Sequence, residues 1–185
     1  MKKIVLIISS LFFLTYCEKK VETFDRPEEF ILNAKNKDLS LFFNTVIQAR
    51  NDNGGTLHYT YVQVFDIGGK DTFNLPSFEF YNEITKPNSL YKINEIYDFA
   101  KYRGVDKKLA LDYSKKFTKK IDDLYRELKI INAVSLPSSG KFIEFTINKK
   151  FKVYYLEDSK TLNKYWRSYF LKLNKIKDKW FFEEM

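Results

Sequence analysis

One stretch limits the architectures open to this chain. Between Asp106 and Leu128, apolar residues recur at Leu109, Tyr113, Phe117, Ile121, Leu124 and Leu128, steps of four, four, four, three and four. Side chains at that spacing form one stripe along a helix. Lys115, Lys116, Lys119, Lys120, Asp122, Asp123 and Arg126 occupy the remaining positions. A helix apolar on one side needs a second layer to cover that side. The sequence predicts a long amphipathic helix over about 106–128, packed on something flat.

The residues that follow supply the flat partner. Lys141–Asn148 alternates, with Ile143, Phe145 and Ile147 on one face and Glu144, Thr146 and Asn148 on the other. Phe151–Leu156 is expected to pair back after Lys149-Lys150. Lys129–Leu136 reads as a strand, Lys164–Ile176 as a long strand or a short helix leading into one, and Trp180–Glu183 as a final strand. Short turns predict sequential antiparallel pairing, a meander of three to five strands.

The first half is mixed. Asp25-Arg-Pro-Glu28 is a helix start, with Asp25 as cap and Pro27 in the first turn. Leu39, Phe42, Phe43, Val46 and Ile47 continue at helical spacing, predicting a kinked helix or two short ones ending near Arg50. Leu57–Phe65 and Thr72–Ile84 read as a hairpin around the Asp66–Asp71 loop. Pro76 puts the second strand at an edge or breaks it. Ser89–Tyr102 reads as a helix. The expected class is α+β: N-terminal helices and a hairpin, the long helix, then a C-terminal antiparallel β-meander packed on helices, with one face of the sheet covered.

The leader is of another kind. Lys2 and Lys3 precede an apolar run, Ile4–Leu14, too short to span a bilayer, and the layout is that of a secretory signal peptide. Cys17 is the single cysteine, so no intramolecular disulfide forms. Leu14-Thr15-Tyr16-Cys17 resembles the lipobox of bacterial lipoproteins, although that pattern prefers Gly, Ala or Ser where this chain has Tyr16. The resemblance implies cleavage before Cys17, diacylglycerol on its sulfur and often a fatty acid on the new amino group. Residues 1–16 would then be signal peptide, 17–24 a lipidated tether and 25–185 a single globular domain. Glu18, not Asp, follows the cysteine. The inner-membrane retention signal of many lipoproteins is therefore absent, and the expected location is the outer membrane, facing the periplasm or the surface.

Composition narrows the chemistry. Loss of Lys2 and Lys3 with the leader lowers the net charge from +8 to about +6. An exported chain rarely meets nucleic acid, so the charge reads first as an ordinary solvated surface and second as compatibility with anionic lipid or polysaccharide surfaces. Eighteen Phe and thirteen Tyr, with few Gly and Pro, imply a packed domain. His58 is the single histidine, on a predicted strand, which leaves no zinc ligand set and no Ser-His pairing beyond it. Gly54-Gly55 and Gly68-Gly69 are turn pairs without a phosphate-loop continuation. Asp52, Asp66 and Asp71 lie in loops too sparse for a calcium site. Glu79, Glu83 and Glu144 fall on predicted strands as candidate carboxylates. Tyr59, Tyr61, Tyr154, Tyr155, Tyr165, Trp166 and Tyr169 either pack between layers or line a groove for sugar or peptide. No cofactor and no metal ligand is assigned. The reading favours a non-enzymatic envelope module that binds a protein, peptide or polysaccharide, with an immunity or inhibitor protein as a close variant. A carboxylate- or tyrosine-based hydrolase of envelope polymers is the alternative.

Overall fold

The computed structural model describes residues 23–51, 57–84 and 92–185, with side chains for all of these except 49–51 and 57–59. The signal peptide, Cys17 and most of the tether lie outside the described residues. Eight strands among those described form one antiparallel sheet: β1 (Thr45–Asn51), β2 (Leu57–Phe65), β3 (Thr72–Leu75), β4 (Asn132–Val134), β5 (Lys141–Thr146), β6 (Phe151–Asp158), β7 (Asn174–Lys177) and β8 (Trp180–Glu184). Their order is β3-β2-β1-β4-β5-β6-β8-β7. With helices α1 (Pro27–Ala34), α2 (Ile93–Tyr102), α3 (Ala110–Glu127) and α4 (Lys164–Phe170), the class is α+β.

The main core lies between one face of the sheet and α1, α2 and α3. Ile47, Val62, Val64, Phe73, Ala133, Ile143, Phe145, Val153 and Trp180 point into it from the strands. Phe30 of α1 packs against Phe145 at 5.2 Å and Trp180 at 6.1 Å. Phe117, Ile121, Leu124 and Leu128 of the predicted stripe meet the sheet from α3. Each such side chain contributes about 1.5–3 kcal/mol when fully buried. Leu109 at the head of the stripe is exposed. It belongs to a 3-10 turn at Lys107–Leu109, where the Asp106 carboxylate accepts from Lys108 N–H; the α-helix proper starts at Ala110.

Several expectations are corrected. Leu39–Phe42 is a 3-10 turn and β1 follows directly, so there is no helix to Arg50. Asn44, at φ +56, reverses the chain between them. The apparent helical spacing straddled that break, and the β-branched Val46 and Ile47 belong to the strand. Asp25 does not cap α1; the helix starts at Pro27 and Arg26 pairs with Glu29 instead. β3 stops at Leu75, before Pro76, and Phe78–Asn82 is a 3-10 turn. β3 is an edge strand, where a proline at its end costs no ladder bond. The helix expected from Ser89 is α2, from Ile93.

Pairing is not sequential throughout. β8 pairs with β6, and β7 lies outside it at the edge. The reason is α4, which takes the chain from β6 across the sheet before β7 begins. The Asn163 side chain caps α4 by accepting from Trp166 N–H at 3.0 Å. α4 lies on the face opposite the other helices, where Trp166 and Phe170 pack on Phe142, Tyr154 and Phe181. Helices therefore cover both faces, the second only in part.

Candidate functional site

Register defines the partly covered face. One row of directly opposed residues crosses all eight strands: Asn74, Gln63, Val46, Val134, Glu144, Tyr154, Phe181 and Lys175. The next row is Tyr61, Gln48, Asn132, Thr146, Lys152 and Glu183. Side chains alternate between faces along a strand, so these residues share one surface. Its β3–β1 end is polar and half-exposed, and its β6–β8 end lies beneath α4.

The polar groups beneath α4 are paired with one another. Tyr154 and Tyr169 each donate to a different oxygen of Glu183, Tyr169 at 2.5 Å. Lys152, opposite Glu183 on β6, forms a 2.8 Å ion pair with Glu144. The hydrogen bond from Lys152 to Glu144 is the main cause that raises the lysine's pKa. Burial, followed by the bond to Glu183, raises the Tyr154 phenol far above its ordinary range, and Tyr169 rises for the same reasons in the same order. Lys152 stays an ammonium and both tyrosines stay neutral at physiological pH. None of the three is tuned towards neutrality, as a general base or activated nucleophile would be. The cluster instead fixes α4 to β8.

The outer side of α4 is open. Lys164, Tyr165, Ser168, Tyr169 and Lys172 line a shallow groove of about 650 Å³. Tyr165 is 66% exposed and its ring lies nearly parallel to that of Tyr169, 6.0 Å away. Leu171, at the end of the helix, is 85% exposed.

The other candidate residues are dispersed. Cys17, Asp52 and the side chains of His58 and Tyr59 lie outside the described residues; the His58 backbone is in β2. The Asp66 carboxylate accepts from the N–H groups of Lys70 and Asp71, at 2.7 and 3.1 Å, and so closes its own hairpin loop. Glu79 and Glu83 lie on and after the 3-10 turn, not on a strand, and Glu79 accepts from Ser77. Tyr61 donates to Asn74 across β2 and β3. Tyr155 faces the main core, packing on Trp180 and donating to Glu157. On α3, Lys116 pairs with Asp112, Lys119 with Asp123, and Lys115 donates to Asn82. Two carboxylates escaped the sequence reading. Glu183 sits beside Phe182 in a short strand, and its two tyrosine partners are fixed only by the β6–β8 register. Asp122, on α3, is 1% exposed, accepts from Thr60 at 2.9 Å and pairs with Arg126 at 2.7 Å. Its place among the charged α3 residues concealed that burial. No protein-family model, curated protein or solved structure matches this chain.

Proposed function

We propose that the chain is an envelope lipoprotein, held at the membrane by acylated Cys17, whose domain is a non-enzymatic binding or accessory module, with an immunity or inhibitor protein as a close variant. The ligand class is a protein, peptide or polysaccharide. The observation that supports a binding role over a hydrolytic one is the state of the polar cluster beneath α4. Its carboxylates are occupied, Glu183 by two phenols and Glu144 by Lys152, and its tyrosines hold their protons more tightly than free tyrosine. Beside it, the tyrosine-lined groove offers ring surface and lysines for recognition.

The anchoring half of the proposal rests on Lys2, Lys3, the apolar run and Leu14-Thr15-Tyr16-Cys17. Two or three acyl chains on one residue hold a protein at a bilayer without a spanning helix, at about 0.8 kcal/mol per buried methylene. Intact mass and acyl labelling of wild type against Cys17→Ala test it. Wild type is expected to carry the lipid and fractionate with membranes, and the variant to lose both. A wild-type chain without lipid overturns the anchor.

A further inference from the structure

We infer that the α4–β7 edge docks on an anionic lipid surface, with Tyr165 and Leu171 seated among the headgroups and lysines around them. Charge points there first. Residues 159–179 hold seven Lys and Arg against one acid, Asp178, a net +6 within a chain of net +8. Lys160, Lys164, Lys172 and Lys177 are exposed and have no ion-pair partner among the described residues. On α3, by contrast, Lys116 and Lys119 are neutralised by acids one turn away. Among the described residues the α4–β7 edge gathers four such exposed lysines around one helix and strand, with Lys179 at its margin paired to Glu157.

Exposed apolar groups share that edge. A merely solvated lysine face has no use for Leu171 at 85% exposure beside Tyr165 at 66%. Basic residues around an aromatic and an aliphatic side chain are the composition of an interfacial surface. A sugar polymer is a poorer fit, because Tyr165 and Tyr169 turn one face each towards the other, 19° from parallel, which leaves the outer face of Tyr165 as the ring surface on offer.

The start of the described chain lies towards the end of the sheet reached by the carboxyl end of α4, where Leu171 and Lys172 sit; Lys160, Lys164 and Lys177 lie towards the other end. Asn148, in the β5–β6 turn, donates to Phe24 carbonyl oxygen at 2.7 Å, and Met185 N–H donates to Lys150 carbonyl oxygen at that turn. Asn174, just after the carboxyl end of α4, is opposite Phe182 towards this end. Phe24 is seven residue steps from Cys17, a reach of at most about 25 Å. This last point alone rests on the proposed anchor.

The test places the full chain on vesicles of neutral phosphatidylcholine, and on vesicles with about a third anionic phosphatidylglycerol, both with brominated acyl chains. Trp166 lies on α4 and Trp180 is buried in the main core. Wild-type fluorescence is expected to be quenched on the anionic vesicles, and much less on neutral ones or in high salt. At about five-fold per lysine lost, reversing Lys160, Lys164 and Lys172 to Glu weakens docking by at least about 100-fold and abolishes the quenching. Flotation, which reads the anchor, stays unchanged. Leu171→Asp, at a site outside the core, lowers quenching in the same direction, and Tyr165→Trp deepens it. Equal quenching on neutral vesicles, or quenching that survives charge reversal, overturns the inference. So does a soluble polyanionic polysaccharide bound through these lysines by a chain that anionic vesicles never quench. Absence of lipid on Cys17 would remove the anchor and leave salt-sensitive quenching to decide the docking.

Discussion

Gly140 shows how tightly α4 is positioned, and Gly104 provides the control. Gly140 sits at φ +120, before β5, and a Cβ there would lie 2.8 Å from Leu162 Cα and 3.0 Å from Leu162 N. Neither atom belongs to a flexible side-chain end, so the backbone before α4 has to retreat by about half an ångström. Three hydrogen bonds tie this turn to that backbone: Lys141 N–H to Thr161 Oγ1 at 2.7 Å, Asn163 N–H to Ser139 carbonyl oxygen at 3.2 Å, and Asn163 Nδ2 to Ser138 carbonyl oxygen at 2.9 Å. Leu162 also leaves its place against Phe142, Tyr154 and Phe170. Backbone strain of about 1–3 kcal/mol and the loss of one or two hydrogen bonds at about 1 kcal/mol each put Gly140→Ala at about 2–5 kcal/mol. Gly104, at φ +70, has nothing within 4 Å of its notional Cβ. Gly104→Ala therefore carries the dihedral strain alone, about 1–2 kcal/mol. At about 2–4 °C per kcal/mol for a chain of this size, Tm falls by about 10 °C for Gly140→Ala and about 4 °C for Gly104→Ala. Thermal and urea unfolding followed by far-UV circular dichroism measure both. Equal costs for the two alanines would refute the argument from close approach.

Two further outcomes are expected. Tyr81 is buried with its hydroxyl against Thr118 and Ser114, though in good hydrogen-bond geometry with neither, so Tyr81→Phe should shift stability by less than about 1 kcal/mol in either direction; a larger loss in urea unfolding would show that the hydroxyl is firmly bonded. The Lys179 ammonium and the Tyr155 phenol hold the Glu157 carboxyl below its usual value near 4.5. Its stabilising contribution is therefore present above that pH and lost as pH falls through the lower folded value. Glu157→Gln should flatten the acid limb of a stability–pH curve below about 4.5, and a limb of unchanged slope would contradict this.

What the sequence disclosed follows the range of the forces involved. The α3 stripe and the alternation of Ile143, Phe145 and Ile147 are periodic within one element, and both were legible. The stretch from Leu39 to Ile47 misled because the left-handed Asn44 carries no marker that separates a turn from a helix. The β6–β8 pairing depends on α4 crossing the sheet, which no local pattern announces. The candidate site was legible in part. Tyr154, Tyr165, Trp166 and Tyr169 stood out by type and density. Their division into a buried pair-forming set and an exposed groove required the register that opposes Lys152 to Glu183.

The sheet order also governs how the chain assembles. β1, β2 and β3 form one local meander, and β4 to β8 form a second local set, a meander as far as β6 with β8 and then β7 added at its edge. The two meet at a seam of three residue pairs: Val46 with Val134, Ile47 with Ala133, and Gln48 with Asn132. Gln48 and Asn132 are 84 residues apart, and closing that loop costs about 4 kcal/mol in chain entropy, more than twice the cost of the short β5–β6 turn. The C-terminal set can therefore form early from near neighbours. The seam closes late, once Phe30 on one side and Phe145 on the other supply a shared core. β4, only three residues long, is the keystone whose opening would let the two halves part without unravelling either.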